Sequence, residues 1–238
     1  MIKLYGKNCV VEAIRANAPL KEVYILNEYR NKSGYLEDAL RKNNVKLKYE
    51  TREFLNKSFG NHNQGYGAIR ENYPSYTMDY IINKEKSFKR VLILDGVADP
   101  QNFGAIIRSA DAFSFDAIIL GNNRSVPITE VVCHVSTGAI EYVPIIYVNS
   151  LNNAVKILKD NDFWIIATDA SGDTLMEDIS KDRNLALIIG SEGFGMTKTL
   201  VKASDYICKI PMSGHVNSLN ASVSAGILLE KLHLREGE

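Results

Sequence analysis

Val91-Leu92-Ile93-Leu94, followed by Asp95-Gly96-Val97-Ala98-Asp99-Pro100-Gln101-Asn102-Phe103-Gly104-Ala105-Ile106-Ile107-Arg108, is the stretch whose reading decides the fold. Four consecutive aliphatic residues are too short for a helix, and an Asp-Gly turn and an Asp-Pro step then lead into a helical segment, Asn102–Ala112. The same short apolar run recurs at Ala117–Leu120, Val143–Val148, Phe163–Ala167, Leu185–Ile189 and Tyr206–Ile210. Helical segments lie between several of them, at Leu151–Lys159 and Thr197–Ala203, and Ser218–Leu234 closes the chain with a stripe of Leu219, Val223, Ile227 and Leu228. Near-continuous Val/Ile/Leu strands alternating with helices predict an α/β fold with a parallel sheet covered on both faces. In such sheets ligands collect beyond the carboxyl ends of the strands, so the loops after the apolar runs are where chemistry is expected.

Upstream of Arg90 the pattern is that of a smaller α/β unit. Asn8–Ala16, Leu36–Lys42 and Arg52–Lys57 read as helices, and Val23–Leu26, Val45–Tyr49 and Tyr66–Ile69 as strands. The turn-rich stretch 72–88 reads as a connection. The predicted organisation is a first domain at 1–75, a linker at 76–89 and a second domain at 90–238.

The 238 residues carry 28 Lys and Arg against 28 Asp and Glu, a formal charge of zero. No run of eighteen apolar residues exists to suggest a membrane span, and Met1–Gly6 lacks the apolar core of a signal peptide. Cys9, Cys133 and Cys208 are too scattered for a zinc site or a disulfide framework, which predicts no metal and fits a reducing, cytoplasmic location. Neutrality by itself argues against a nucleic-acid binder. However, residues 1–75 hold 13 Lys and Arg against 8 Asp and Glu, a net of +5, and residues 76–238 hold 15 against 20, a net of −5. The basic first block is the better candidate for meeting an anionic polymer, although an imbalance of that size also arises by chance.

Three loops stand out. In the first, Asn102 stands near the start of the helix and Arg108 six residues on, readable singly as a cap and a solvated charge. The second is Gly190-Ser191-Glu192-Gly193-Phe194-Gly195-Met196-Thr197. It begins like a phosphate-binding loop, but Met196 and Thr197 stand where Lys and Ser/Thr are required, and the dinucleotide fingerprint fails as well. Glu192 would repel a phosphate and suits a cationic or hydroxyl-bearing ligand, or else simply faces the positive end of the next helix. The third loop follows Ile210 with Pro211-Met212-Ser213-Gly214-His215, and Ser218 and Asn220 are caps or site residues. His215, His62 and His134 lack acidic neighbours in sequence and read as exposed loop histidines.

Taken in order, Asn102–Arg108 (N-F-G-A-I-I-R), the G-S-E-G-F-G loop, and I-P-M with S-L-N at Ile210–Met212 and Ser218–Asn220 resemble the three motifs of the SpoU (TrmH-type) family of RNA ribose 2′-O-methyltransferases. Tyr5-Gly6-Lys7-Asn8, Val11–Ile14 and Gln64-Gly65 with Ala68 resemble the substrate-binding domain of the RlmB-type subgroup, which methylates a guanosine ribose of 23S rRNA. The Asn61–Gly65 run departs from it by carrying Asn63 between His62 and Gln64. The resemblance implies a C-terminal trefoil-knotted SPOUT methyltransferase domain preceded by a small α/β RNA-binding domain. It also implies a homodimer with sites drawn from both copies, and S-adenosylmethionine against Gly190, Ile210 and Leu219, with Thr168 and Met212 beside them. The partner is RNA, most readily rRNA, and not DNA, which lacks the hydroxyl being methylated.

The chemistry narrows the roles. The ribose hydroxyl must lose its proton in the transition state, and the oxygen, methyl and sulfur must be aligned, which supplies roughly 7–11 kcal/mol. A guanidinium is not deprotonated in proteins, so Arg108 is expected to bind the ribose or its phosphate and stabilise the nascent alkoxide rather than act as base. Asn102, Glu192, Ser218 and Asn220 are expected to orient substrate and loops. The alternatives are a tRNA ribose methyltransferase of the same family, or an RNA-binding or ribosome-assembly protein that has lost turnover.

Overall fold

The computed structural model describes residues 1–123, 125–191, 195–215 and 218–233. In chain order the first elements are β1 (Ile2–Tyr5), α1 (Lys7–Arg15), β2 (Leu20–Leu26), a 3₁₀ turn (Asn27–Lys32), α2 (Gly34–Lys42), β3 (Lys46–Glu50), α3 (Arg52–Phe59) and β4 (Tyr66–Arg70). Then follow α4 (Met78–Ile82), β5 (Arg90–Asp95), α5 (Pro100–Ala112), β6 (Ala117–Gly121), α6 (Glu130–Val135), a 3₁₀ turn (Ala139–Glu141), β7 (Ile145–Val148) and α7 (Leu151–Lys159). The last are β8 (Phe163–Thr168), a 3₁₀ turn (Met176–Asp178), β9 (Asn184–Gly190), α8 (Lys198–Ala203), β10 (Tyr206–Cys208) and α9 (Ala221–Leu232). Among the described residues no helix is long and apolar enough to cross a membrane.

Two compact units emerge, and the chain enters the first one twice. Unit 1 is Met1–Pro74 together with Ile128–Tyr142, and unit 2 is Ser75–Pro127 together with Val143–Glu238. Unit 1 is built on a four-stranded sheet ordered β1-β4-β2-β3, in which only the β2–β3 pair is parallel. Its helices bury the residues that their spacing dictates: Cys9, Val10, Ala13 and Ile14 on α1, Leu36 and Leu40 on α2, Leu55 and Phe59 on α3. Thr51 caps α3 by accepting from Phe54 N–H.

Asn63 in the Asn61–Gly65 run is a scaffold residue. Its buried amide donates to Asn56 Oδ1 and Gly60 O, while its oxygen accepts from Gly65 N–H. That arrangement holds Gln64 and Gly65 at φ of 54° and 81°, a left-handed pair that only a well-anchored turn sustains.

The second visit, Ile128–Tyr142, was not legible as part of unit 1. Glu141 forms an ion pair with Arg70 at 2.7 Å, with both side chains under 5% exposed, and accepts from Tyr73 Oη at 2.6 Å. Gly138, at φ 99°, lies where a Cβ would come within 2.4 Å of Glu12 Cβ. His134 is not the exposed loop histidine expected: its ring stacks on Tyr5 at 4.3 Å, and Nδ1 stands 3.0 Å from Tyr5 O. Burial, above all, pushes the Cys133 thiol up to about 12 and the Cys9 thiol upward too, so both stay protonated. A cut at residue 75 would therefore strip buried partners from 128–142, and point substitutions are the sounder probe of unit 1.

Unit 2 carries a six-stranded, wholly parallel sheet ordered β10-β8-β9-β5-β6-β7. Its central strands are buried on both faces, which is why they read as unbroken aliphatic runs. Residues 76–89, read as linker, contribute α4 with Ile81 fully buried in this core, and Tyr76 pairs with Ile146. Arg90, 1% exposed, donates to the carbonyls of Leu232, Lys89, Arg183 and Lys181, and thereby ties the end of α9 to β5. Burial lowers that guanidinium's pKa to about 10, yet it stays charged at neutral pH.

Two boundaries moved. The last helix begins at Ala221 rather than Ser218, because Asn220 caps it, and its core face is Ala221, Ala225, Leu228, Leu229 and Leu232. Val223, placed in the expected stripe, is 50% exposed. Strand β10 ends at Cys208, which leaves Ile210 in the following loop.

Candidate functional site

The carboxyl ends of β8, β9 and β10, with the approach to α9, surround a cavity of about 390 Å³. Its walls include Thr168 and Asp169 after β8, Gly190 and Ser191 after β9, Ile210 and Met212 after β10, and Ser218 and Leu219 before α9. Thus Gly190, Ile210, Leu219, Thr168 and Met212, with Ser218, all face one space although up to 51 positions of sequence separate them.

Glycine is obligatory at the β9 exit. A Cβ on Gly190 would stand 2.5 Å from Gly195 C and 2.7 Å from Met196 N, because the chain folds back with Gly195 N–H donating to Ser191 O at 3.0 Å. The chain after Gly195 is fastened by Asp95, whose Oδ2 accepts from both Thr197 N–H and Thr197 Oγ1 at 2.7 Å. Glu192 lies outside the described residues. Gly172 serves a second close approach, since a Cβ there would meet Ile207 O at 2.5 Å. The segment after β8 consequently runs beside β10: Asp169 N–H donates to Cys208 O, Thr174 N–H to Ile207 O, and Lys209 N–H to Thr174 O.

Among the described residues the cavity wall combines aliphatic surface with one carboxylate, Asp169, and one ammonium, Lys209. Ile189, Ile210, Leu219 and Leu228 supply aliphatic surface. The Asp169 carboxyl is held below the usual carboxylate range, first by Ser171 Oγ at 2.5 Å and then by Ser171 N–H at 2.8 Å. It is thus a fixed negative charge at neutral pH, suited to a cation or to hydroxyl groups. Cys208 also lines the space, but burial followed by the charges of Asp173 and Asp178 raises its thiol to about 11, which excludes it as a thiolate nucleophile. Thr168 Oγ1 donates to Ile188 O at 3.0 Å and steadies the strand end.

Asn102 and Asn220 meet beside this space. Asn220 Nδ2 donates to Asn102 Oδ1 at 2.9 Å, while Asn220 Oδ1 accepts from the backbone of Ser222 and Val223. Asn220 is both the cap of α9 and its bridge to α5. Asn102 is not the cap of α5; Asp99 is, accepting from Gln101 N–H with Pro100 at the first turn. Arg108 does not join them. It is exposed, six residues past Asn102, hence about 9 Å further along α5 and about 240° around it, and it is absent from the cavity wall. Sequence reading missed Asp169, Ser191 and Ser224 in the wall. Their places directly after strands, or one turn into α9, are the signal that could have found them.

Comparison with known proteins completes the description. Residues 89–230 match the model of the SpoU rRNA Methylase family, and residues 3–74 match that for RNA 2′-O ribose methyltransferase substrate binding. A Staphylococcus epidermidis protein assigned by name to the TrmH family of tRNA/rRNA methyltransferases is 37% identical over 238 residues, covering 98% of this chain and 95% of its own. A Staphylococcus aureus relative of the same name is 37% identical over 231 residues, covering 95% of this chain and 93% of its own. The same fold is seen in the SpoU methyltransferase AviRb from Streptomyces viridochromogenes in complex with AdoMet, with a TM-score of 0.78, 24% identity, and coverage of 97% of this chain and 88% of that one. It is seen too in an AdoMet-bound rRNA methyltransferase from Sinorhizobium meliloti, with a TM-score of 0.80, 20% identity, and coverage of 97% and 86%.

Proposed function

The chain belongs to the SpoU rRNA methylase family, and from that premise we propose that it methylates the 2′-hydroxyl of a ribose in ribosomal RNA, a guanosine of 23S rRNA before others. The family is one of RNA methyltransferases, and S-adenosylmethionine is the methyl donor. The observation that carries the reading is one cavity lined by residues that follow β8, β9 and β10. Its volume lies within the range of small-molecule sites, roughly 300–1,000 Å³. The aliphatic wall suits an apolar ring, and the Asp169 carboxylate suits ribose hydroxyls or a cationic amine, so the residues present fit the donor. Bound there, S-adenosylmethionine supplies an electrophilic methyl group on a sulfonium sulfur. The segment after β8 runs beside β10, with Gly172 against Ile207, an arrangement compatible with the trefoil knot that the family resemblance implies.

The chain's own residues then divide the work. Gly190, Ile210 and Leu219 line the donor's space, and the Asn102–Asn220 bridge fixes the helix ends beside it. Arg108 holds the ribose or its phosphate and offsets charge developing on the oxygen. Its exposure, and its absence from its own cavity wall, favour a site completed by a second copy of the chain. Ser218 lines the cavity, where it orients substrate. The rRNA assignment draws on the unit carrying Tyr5–Asn8 and Gln64–Gly65.

Gly190→Ala is expected to weaken S-adenosylmethionine binding at least tenfold in a calorimetric titration, because the new Cβ cannot coexist with the Gly195 backbone. Unchanged affinity would remove the cavity from the donor's path. The target is tested by mapping 2′-O-methyl groups in rRNA and tRNA from a strain lacking the protein. Loss of one rRNA mark is expected; loss confined to tRNA would replace rRNA by tRNA as substrate.

A further inference from the structure

Unit 1 holds a second cavity, of about 450 Å³, lined by Lys7, Tyr29, Lys32, Tyr35, Gln64 and Tyr66. We propose that it takes one unpaired nucleotide of the RNA, with the base against the tyrosines and the phosphates against the lysines. The inference deepens the RNA methyltransferase reading above and rests on it.

Three elements converge here. Tyr29 comes from the 3₁₀ turn, Tyr35 from the first turn of α2 and Tyr66 from the start of β4, none of them contributing to the transferase cavity. The Tyr29 and Tyr66 rings stand 5.7 Å apart at 31° and form an aromatic corner. Tyr35, 57% exposed, leaves a large ring in water at the rim. The turn preceding β4 is shaped to admit this corner: a Cβ on Gly65 would come within 2.6 Å of Tyr29 Cε2.

The polar groups specify the occupant further. Gln64 Oε1 accepts from Lys7 N–H at 3.0 Å, so the amide nitrogen is the end left to donate, and carbonyl acceptors on a base edge are its complement. Lys7 and Lys32 are exposed, and no carboxylate lines the cavity among the described residues. Burial, followed by the neighbouring tyrosines, raises the Tyr66 phenol, so no negative charge arises there at neutral pH. Ring faces, two cations and one amide are what an unstacked nucleotide offers partners for; a base within an A-form duplex presents no free face.

The full-length protein tests this by fluorescence anisotropy, with labelled oligouridylate and a labelled RNA duplex of equal length. Tyr35→Ala, chosen because the exposed ring is not part of the core, is expected to weaken oligouridylate binding at least about fivefold, with duplex affinity changed less than about twofold. Tyr35→Trp should retain the wild-type value. The double variant K7Q/K32Q should flatten the dependence of log affinity on log salt by about 1.4 for the single strand. Equal binding by Tyr35→Ala and wild type, or equal loss on both RNAs, overturns the pocket, as does a duplex preference in the wild type. Calorimetry with S-adenosylmethionine separates the two failures: intact donor binding beside an indifferent Tyr35 removes the pocket alone, and absent donor binding removes the underlying reading as well.

Discussion

Arg108→Ala is expected to lower kcat for RNA methylation by about 10²–10³, the loss typical of removing one donor aimed at developing oxyanion charge. S-adenosylmethionine affinity should stay at the wild-type value, since Arg108 is not in the wall of the cavity proposed for the donor. The substitution should not harm the fold either, because the side chain is exposed. Arg108→Lys should recover little: an ammonium is a point charge, whereas a guanidinium presents a planar fork that can span two oxygens. Rates within a few-fold of wild type for Arg108→Ala would remove it from the reaction. A mixing experiment then distinguishes one-chain from two-chain sites. At a donor concentration that saturates the wild type but lies well below the weakened affinity of Gly190→Ala, copies of either variant alone have little activity. Random pairing in the proposed symmetric dimer, however, gives half of the molecules one intact site. Mixtures should therefore recover about one quarter of wild-type activity. No recovery would place Arg108 and the donor cavity of the same chain in one site.

The parallel sheet was legible because strands buried on both faces cannot alternate; Val91–Leu94 and Leu185–Ile189 could be nothing but core. Helix ends were less legible. Ser218, Asn220 and Ser222 are all credible caps by residue type, and only the acceptance by Asn220 Oδ1 of Ser222 and Val223 N–H fixes the start of α9. Strand β1 went unseen because Ile2–Tyr5 buries one residue, Leu4, and owes its strand to pairing with residues more than sixty positions away. The cavity was legible in part. Loop position after strands pointed to the neighbourhoods of Gly190 and Ser218, and the family resemblance supplied Gly190, Ile210 and Leu219 themselves. Asp169 shares the position after a strand, but its charge and setting depend on Ser171 and on the chain running beside β10, which no local pattern shows. The return of Ile128–Tyr142 to unit 1 was not legible at all, since no local pattern announces a partner 71 positions away.

That return makes the Arg70–Glu141 pair the position of largest expected effect on stability. Both side chains are almost wholly buried, and Glu141 also accepts from Tyr73, so Glu141→Ala leaves a guanidinium and a phenol without their acceptor. Breaking a buried pair from one side costs about 3–5 kcal/mol, far above what the same pair would be worth on the surface. For a chain of this length, that corresponds to roughly 6–20 °C in the melting midpoint. The two units give separate signals: the single tryptophan, Trp164, lies on β8 in unit 2, whereas far-ultraviolet dichroism sees both. Glu141→Ala should lower the dichroism midpoint, with the Trp164 fluorescence transition lagging behind it. Replacing both partners, R70M/E141L, should restore part of the loss, because two apolar side chains in that space remove the unpaired charge. A midpoint unchanged by Glu141→Ala would mean that Ile128–Tyr142 is held by apolar packing of Val132, Ala139 and Ile140 alone, with the ion pair contributing nothing net.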